Sequence, residues 1–347
     1  MNIFSNPKKI HFLKDLTKDS YLLELDSNLF HNTFEIFKSK ENILFLIYIN
    51  KNNSIISYDL IRNQKINEIK KAHSSLITNL HYCFDEKNKI DLILSISFTD
   101  NTIKLWNMNN CSLLLNLTNI NNEGLLKAAC FLKNKGHIYI VSSNFNYNYS
   151  FNNEPIKIFN LDGQKIKEIK DSKDITFFID TFYDDNTNKN YIFTGNSGNA
   201  KAYDYEDNII YKKFSEKDKI YRVYHDIVIN KNENIIQFIA LSNDNFIRIW
   251  NFHSGELLKS ICVKNDNILS YNMLFSICIW NNDYFFVSSS DESLKLIEIK
   301  TGQIIKNITG LNCEILTLKK ILHPHYGDCL VSHSSRNMQI KLWISEN

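Results

Sequence analysis

One short motif recurs along the whole chain and constrains its fold more than any other feature. The segment Ile-Lys-Leu-Trp-Asn at 103–107 returns in related forms, including IRIWN and IKLWI. The fourth position is aromatic in six of the seven copies, and successive copies lie 48, 53, 44, 47, 47 and 46 residues apart. A period of this length predicts a repeat architecture of seven units. The copies lie at 55–59, 103–107, 156–160, 200–204, 247–251, 294–298 and 340–344.

Each unit contains four short apolar segments separated by turn residues. Before Trp250, FIALSNDNF predicts a strand and a tight turn, and GELLKSI from 255 predicts a turn and a further strand. Asp244 and Asp291 both stand six residues before the fourth motif position, so the turn recurs in register. A four-stranded sheet cannot bury both faces alone, whereas neighbouring sheets cover them. We therefore expect an all-β chain of four-stranded antiparallel units.

The repeats resemble those of the WD-repeat (WD40) β-propeller family over essentially the whole chain. Trp106-Asn107 and Trp250-Asn251 stand where that family has Trp-Asp, and Ala72-His73 stands where it has Gly-His. The resemblance implies a single seven-bladed β-propeller covering residues 1–347 and closed by an N-terminal strand. It also implies a protein that assembles other proteins through its rims or outer edges.

The last unit stops after its third strand, at 340–344, and lacks a fourth. Because an unpaired edge strand promotes aggregation, we expect an N-terminal segment within 9–26 to supply the missing strand. Two segments have strand-like sequences, KIHFLKDL at 9–16 and SYLLELD at 20–26. The distance from 20–26 to the next inner segment matches that in other units, which favours 20–26 as the closing strand.

One unit contains a near-complete set of polar residues. The resemblance implies that His73, Asp100, Trp106 and a serine, Ser95 or Ser97, form a buried hydrogen-bond network that fixes the blade. A catalytic triad is the alternative interpretation of the same residues. Ser95 and Trp106 have an odd separation, which predicts a β-bulge between them. The other units have lost most of these residues, so we expect apolar packing to stabilise them.

The third unit has the longest period, and its extra residues fall between the second and third strands. There, NFNYNYSF contains aromatic residues in strict alternation, which is typical of one face of a strand. We expect an exposed hairpin that contacts a partner protein, because Tyr and Phe are enriched at interfaces. Neutral drift in an Asn-rich sequence is the alternative. The four aromatic residues are Phe145, Tyr147, Tyr149 and Phe151.

Motifs for nucleotide, metal or hydrolytic chemistry are missing from the sequence. No P-loop, dinucleotide, zinc-protease, EF-hand or nucleophile-elbow pattern occurs, so we expect no cofactor, no metal and no catalytic residue. His323, His325 and Asp328 resemble a metal cluster, but the repeat places them in a hairpin turn. The seven cysteines include no CxxC pair and predict reduced thiols.

Charge and hydropathy limit the partners further. The net charge of +2 and the four arginines argue against direct nucleic-acid binding. No signal peptide or apolar span is evident, which predicts a soluble cytoplasmic protein, with a nuclear location also compatible. We expect a monomeric scaffold or adaptor for a multiprotein complex. The alternatives are a propeller that binds a phosphorylated or modified peptide or a phosphoinositide, which needs several Lys or Arg on one rim, and an enzyme.

Overall fold

The computed structural model describes residues 9–17, 34–39, 43–50, 52–97, 99–118, 125–145, 155–169, 172, 174–215, 224–231, 235–263, 273–334 and 340–346. These residues form strands and turns, and the assigned elements include no helix. Within the same ranges, no helix has the length and apolar character needed to cross a membrane.

The strands form seven four-stranded antiparallel sheets, which confirms the predicted all-β propeller of seven blades. In chain order they are β1 (Lys9–Thr17), then blade 1 with β2 (Phe34–Lys38), β3 (Leu44–Ile49), β4 (Ile55–Asp59) and β5 (Gln64–Ile69), and blade 2 with β6 (Ile77–Asp85), β7 (Ile90–Ser97), β8 (Thr102–Asn107) and β9 (Ser112–Leu117). Blade 3 has β10 (Leu125–Asn134), β11 (His137–Phe145), β12 (Ile156–Asn160) and β13 (Lys165–Ile169), and blade 4 has β14 (Thr176–Asp184), β15 (Lys189–Asn196), β16 (Ala200–Asp204) and β17 (Ile209–Phe214). Blade 5 has β18 (Tyr224–Lys231), β19 (Ile236–Ser242), β20 (Phe246–Asn251) and β21 (Leu257–Cys262), and blade 6 has β22 (Leu274–Ile279), β23 (Tyr284–Ser289), β24 (Ser293–Glu298) and β25 (Ile304–Ile308). Blade 7 has β26 (Ile315–His323), β27 (Gly327–Ser334) and β28 (Ile340–Glu346), with β1 as its fourth strand.

The chain divides into two compact units. One contains blades 1, 6 and 7, and the other contains blades 2 to 5. Within the second unit, one buried cluster joins Leu94 of blade 2 to Ile140 of blade 3, and another joins Cys130 of blade 3 to Ile192 of blade 4. Fully burying such an aliphatic side chain contributes about 1.5–3 kcal/mol relative to leaving it exposed, so the packing of neighbouring blades holds these sheets together.

The recurring motif lies in the third strand of every blade, and its burial explains its composition. All five residues of β16 are buried, whereas β17 beside it exposes Ile209 and buries Phe214. A strand covered on both faces needs apolar or internally paired residues at every position, and an outer strand needs them on one face only. The near-continuous apolar motif is therefore the consequence of a sandwiched position.

The closing strand differs from the one that the spacing favoured. Strand β1 pairs antiparallel with β28, with Lys9 opposite Glu346 and Thr17 opposite Ile340. The preference for 20–26 was therefore wrong, because 9–17 holds this edge; residues 20–26 themselves lie outside the described residues. The error has a simple cause. The link between β1 and β2 spans 18–33, whereas the link between β5 and β6 spans only 70–76, so the terminal connection does not follow the repeat.

Candidate functional site

The polar residues of blade 2 meet in one hydrogen-bond network. Nε2 of His73 lies 2.8 Å from Oγ of Ser95, and Nε1 of Trp106 donates to the same oxygen at 2.8 Å. On the other side of the ring, Nδ1 of His73 lies 2.9 Å from Oγ1 of Thr102 and 3.3 Å from Oδ2 of Asp100. The structure thus brings together His73, Ser95, Asp100 and Trp106, and it adds Thr102, which the sequence did not single out.

The network has one consistent direction. Because Oγ1 of Thr102 donates to Oδ1 of Asp100 at 2.6 Å, its lone pairs are left to accept from Nδ1–H of His73. Nε2 is then an acceptor and receives the hydroxyl proton of Ser95, whose oxygen accepts from Trp106. Hydrogen bonds are thus donated in one direction, from the indole of Trp106 to the carboxylate of Asp100. Each of the polar side-chain atoms that form this series has a partner.

Burial sets the charge state of this network. Burial lowers the pKa of His73, and the neighbouring carboxylate of Asp100 only partly offsets that effect. Burial also disfavours the charged form of Asp100, but hydrogen bonds from His73 and Thr102 outweigh it and lower the pKa of that carboxyl. A neutral imidazole beside a carboxylate agrees with the direction of the hydrogen bonds.

The expected bulge between Ser95 and Trp106 is not present. Strands β7 and β8 pair without a register shift, with Ser95 opposite Lys104 and Trp106 opposite Ile93. In an antiparallel pair, residues that lie diagonally across two strands share a face. Ser95 therefore reaches Trp106 diagonally within a regular ladder, and the odd separation reflects the length of the hairpin.

Among the described residues, blades 5 and 6 each contain a polar network of different composition. In blade 5, Arg248 is 1% exposed, and its Nη1 and Nη2 donate to the two oxygens of Asp244 at 3.0 and 2.7 Å. In blade 6, Nζ of Lys295 donates to Asp291 at 2.7 Å and to Ser289 at 3.0 Å. The expectation that apolar packing alone stabilises these units is therefore wrong. A cation at the second motif position lies against the turn aspartate in these blades, as the histidine does in blade 2.

The aromatic insertion lies almost wholly outside the described residues. Strand β11 runs to Phe145, whose backbone pairs with Leu125, and β12 begins at Ile156. Tyr147, Tyr149 and Phe151 fall between these strands, in the part that is not described. The hairpin and its partner-binding role stay predictions.

A groove opens where three consecutive blades present the turn between their first and second strands. The turn of blade 2 has four residues, 86–89, and that of blade 4 has four, 185–188, but that of blade 3 has only two, Lys135 and Gly136. Both residues of the short turn have positive φ, 49° and 77°, as in a type I′ hairpin. The short middle turn leaves a depression of about 630 Å³ between its longer neighbours. We call it the turn groove.

The lining of the turn groove has an apolar part, which we call the floor, and a charged part, which we call the rim. Phe84 and Tyr183 occupy the penultimate positions of β6 and β14, and Ile138 lies beside them on β11. The remaining lining residues are Glu86, Lys133, Asn134, Lys135, Gly136, His137, Asn188 and Asn190. Nδ2 of Asn190 donates to Oδ1 of Asn134 at 3.1 Å across the boundary of blades 3 and 4. A volume of this size is typical of ligand pockets in proteins.

A second depression of about 390 Å³ continues from the turn groove along the first strands of the same blades. It shares Phe84, Lys133, Tyr183 and Asn190 with the groove. Burial raises the pKa of the Cys83 thiol in its wall to about 11, so this thiol stays protonated and unreactive at neutral pH. The wall therefore offers shape and hydrogen bonds rather than a nucleophile.

The groove residues were not singled out by the sequence, although a signal was present. With two flanking residues on each side, the three hairpins read FDEKNKID, KNKGHI and YDDNTNKN, and the middle one is two residues shorter. Comparing turn lengths between successive repeats would have located the depression. Motif searches cannot find the residues that line the turn groove, because these side chains come from three separate units.

The histidine cluster in blade 7 forms a turn. His323 ends β26, and the next strand begins at Gly327. His325 N donates to Nδ1 of His323 at 3.2 Å, which occupies a potential ligand atom. Among the described residues, no group of three or more His, Cys, Asp or Glu side chains is placed to hold a metal ion.

Comparison with known proteins identifies the fold. No protein-family model matches the chain, and no curated protein matches it by sequence. Among solved structures, it is similar to the crystal structure of the Myceliophteria thermophila Cps50 (Swd1) beta-propeller domain, with a TM-score of 0.67 and 13% sequence identity. The similarity covers 95% of this chain and 100% of that one. That neighbour is a WD40 β-propeller, and at this identity the likeness concerns the fold alone.

Proposed function

We propose that this chain is a non-enzymatic scaffold or adaptor that holds other proteins in a complex in the cytoplasm. The turn groove is the observation that carries the proposal, because it is an exposed depression lined by aromatic, aliphatic and charged side chains. The paired strands and the buried clusters of blades 2 to 4 give the groove a rigid support. A rigid support reduces the entropy that is lost when a partner binds.

The polar network of blade 2 supports a structural role for its residues. His73 is 3% exposed, and Nε2, the atom that would act as a general base, already accepts from Ser95. A substrate has no access to this imidazole without opening the blade. The resemblance to a catalytic triad is therefore explained by stabilisation of the sheet.

A propeller that binds phosphorylated or modified peptides or phosphoinositides is the second candidate, and Lys133 and Lys135 at the turn groove favour it. The arginines weigh against it. Arg248 is buried against Asp244, and Arg62 lies 3.9 Å from Asp59; residues 222 and 336 lie outside the described part of the chain. Lysine alone contacts phosphate as a point charge and lacks the bidentate geometry of arginine.

The cysteines support an intracellular setting for the proposal. All seven are free thiols, and five of them are buried. Free thiols persist where the compartment is reducing. The thiols therefore support a scaffold in a reducing compartment.

Affinity purification with chemical cross-linking tests the scaffold proposal. The tagged full-length chain is expressed at native level in its own cells, and the cross-linked material is identified by mass spectrometry. We expect partner proteins in stoichiometric amounts. If the chain instead migrates as a free monomer in gentle extracts, and cross-linking captures no stoichiometric partner, the proposal is wrong. Binding of the purified chain to phosphoinositide vesicles would favour the second candidate.

A further inference from the structure

The rim of the turn groove has positive side chains that no acidic side chain of the described residues neutralises. Lys133 and Lys135 are exposed, and within the described residues no carboxylate lies at ion-pair distance from either. Glu86, the acidic residue of the lining, lies 3.6 Å from Lys89. The described rim therefore presents two cations to whatever enters the groove.

The floor offers an apolar contact next to those cations. Tyr183 is 45% exposed, which is high for a large aromatic side chain. Its hydroxyl donates to Oδ1 of Asn188 at 3.1 Å, and this bond orients the ring. Phe84 and Ile138 complete the floor. Aromatic residues in such positions form the energetic centres of protein interfaces.

The size of the groove selects the kind of occupant. A volume of about 630 Å³ holds a few side chains and is too small for a folded domain. A small anion, such as a free phosphate, is usually held by several convergent donors, arginine forks or backbone amide nests. The two lysines are instead exposed and stand on one short turn and the strand before it. An extended segment can place carboxylates along the rim while one apolar side chain reaches the floor.

We propose that the turn groove binds an acidic linear peptide segment of a partner protein, with one large apolar side chain seated on Phe84, Ile138 and Tyr183. This inference rests on the scaffold function and names the chemistry of the partner. Charge complementarity with Lys133 and Lys135 sets the preference for Asp or Glu beside the anchor. The exposed charge pairs are screened by salt, so binding weakens as ionic strength rises.

Selection from a random-peptide phage library on the full-length chain is the direct test. We expect the enriched peptides to share at least two acidic residues flanking an aromatic or large aliphatic residue. The affinity of one enriched peptide is then measured by fluorescence anisotropy. The double variant K133E/K135E should weaken it by about tenfold or more, since charges of the wrong sign now face the peptide. Y183A should weaken it by about fivefold or more through loss of the anchor contact.

A matched control separates local from general charge effects. K70E/K213E makes the same change in net charge at two exposed lysines that do not line the groove, and it should keep the affinity within about twofold. Thermal melting of every variant shows whether it is folded. Because the substituted residues are exposed, we expect unchanged melting temperatures.

Several outcomes would overturn the proposal. They are selection of no peptide, selection of peptides without acidic residues, equal binding by K133E/K135E and wild type, and displacement of the peptide by inorganic phosphate at low concentration. The scaffold function is judged separately. If wild type and K133E/K135E recover the same native partners, the groove assignment fails while the scaffold proposal stands; if wild type recovers none, the scaffold proposal fails.

Discussion

Replacing His73 by alanine tests whether the polar network stabilises blade 2. The imidazole makes one short hydrogen bond on each nitrogen, at 2.8 Å to Ser95 and 2.9 Å to Thr102. Each contributes about 0.5–1.5 kcal/mol net. Ser95 would keep the indole donor of Trp106, and Thr102 would keep Asp100, so neither hydroxyl loses all its partners. The cavity left by the ring adds a further cost of about 1 kcal/mol. We expect a loss of about 2–4 kcal/mol in the free energy of unfolding.

Urea denaturation of the variant and the wild type measures this loss, and amide hydrogen exchange in β6–β8 shows whether it is local to blade 2. His137→Ala is the matched control, because His137 is exposed, and it should change the free energy by less than about 0.5 kcal/mol. A value for His73→Ala as small as that of the control would refute the reasoning, since it would mean that the network makes no net contribution.

The stability that His73→Ala loses relative to the wild type should depend on pH. Burial lowers the pKa of His73 in the folded protein, below the value of about 6.5 in an unfolded chain. The neutral ring therefore stabilises the fold above that unfolded value, and the contribution is lost as pH falls through the lowered folded value. We expect the difference between wild type and His73→Ala to shrink on acidification. A difference that grew at acidic pH would contradict the neutral assignment.

Three further predictions concern the closing strand, a buried histidine and the insertion. Deleting residues 1–17 should leave the edge of β28 unpaired and cause concentration-dependent aggregation, visible by light scattering; a monomeric truncation with unchanged melting temperature would argue against closure by β1. Burial lowers the pKa of His333 to about 3, so its neutral form stabilises the fold above an unfolded value of about 6.5, and about 2 kcal/mol of this is lost by pH 5. His333→Gln should lack that loss in urea melts at pH 7 and pH 5, and an equal loss in both proteins would be inconsistent with a buried neutral ring. Replacing the four insertion aromatics by Ser should leave the melting temperature unchanged and abolish recovery of a native partner, whereas full recovery would assign the stretch to drift; the residues are Phe145, Tyr147, Tyr149 and Phe151.

The repeat alone determined the fold class and the number of blades. Aromatic and aliphatic residues at the fourth motif position, from Tyr58 to Trp343, recur because every third strand occupies the same sandwiched place. Local physical chemistry fixes such a position. A strand that is buried on both faces needs apolar side chains, and a tight turn needs residues that accept its backbone angles. Each unit contains these local patterns separately, so the fold class and the number of blades can be predicted without knowing how the units pack together.

The sequence also predicted most members of the blade 2 network, with Ser95 and Ser97 left as alternatives. It did not predict Thr102 or the direction in which the hydrogen bonds of the network are donated. The strand register selects Ser95 rather than Ser97, because Ser95 and Trp106 lie diagonally on one face when Ile93 stands opposite Trp106. The buried pairs of Arg248 and Lys295 were also missed. A cation in an apolar motif looks like a surface residue until its neighbours across the sheet are known.

The lining of the turn groove and the choice between the two closing segments depended on tertiary structure. Strand β1 pairs with β28, more than three hundred residues away along the chain, and the spacing of local elements holds no information about such a contact. The turn groove arises from one short hairpin, 135–136, between two longer ones. Its lining becomes a surface only when three blades stand side by side. Repeated local patterns thus determined the kind of blade, whereas long-range packing decided which strand ends the sheet and where a partner can bind, because both depend on residues that meet only after folding.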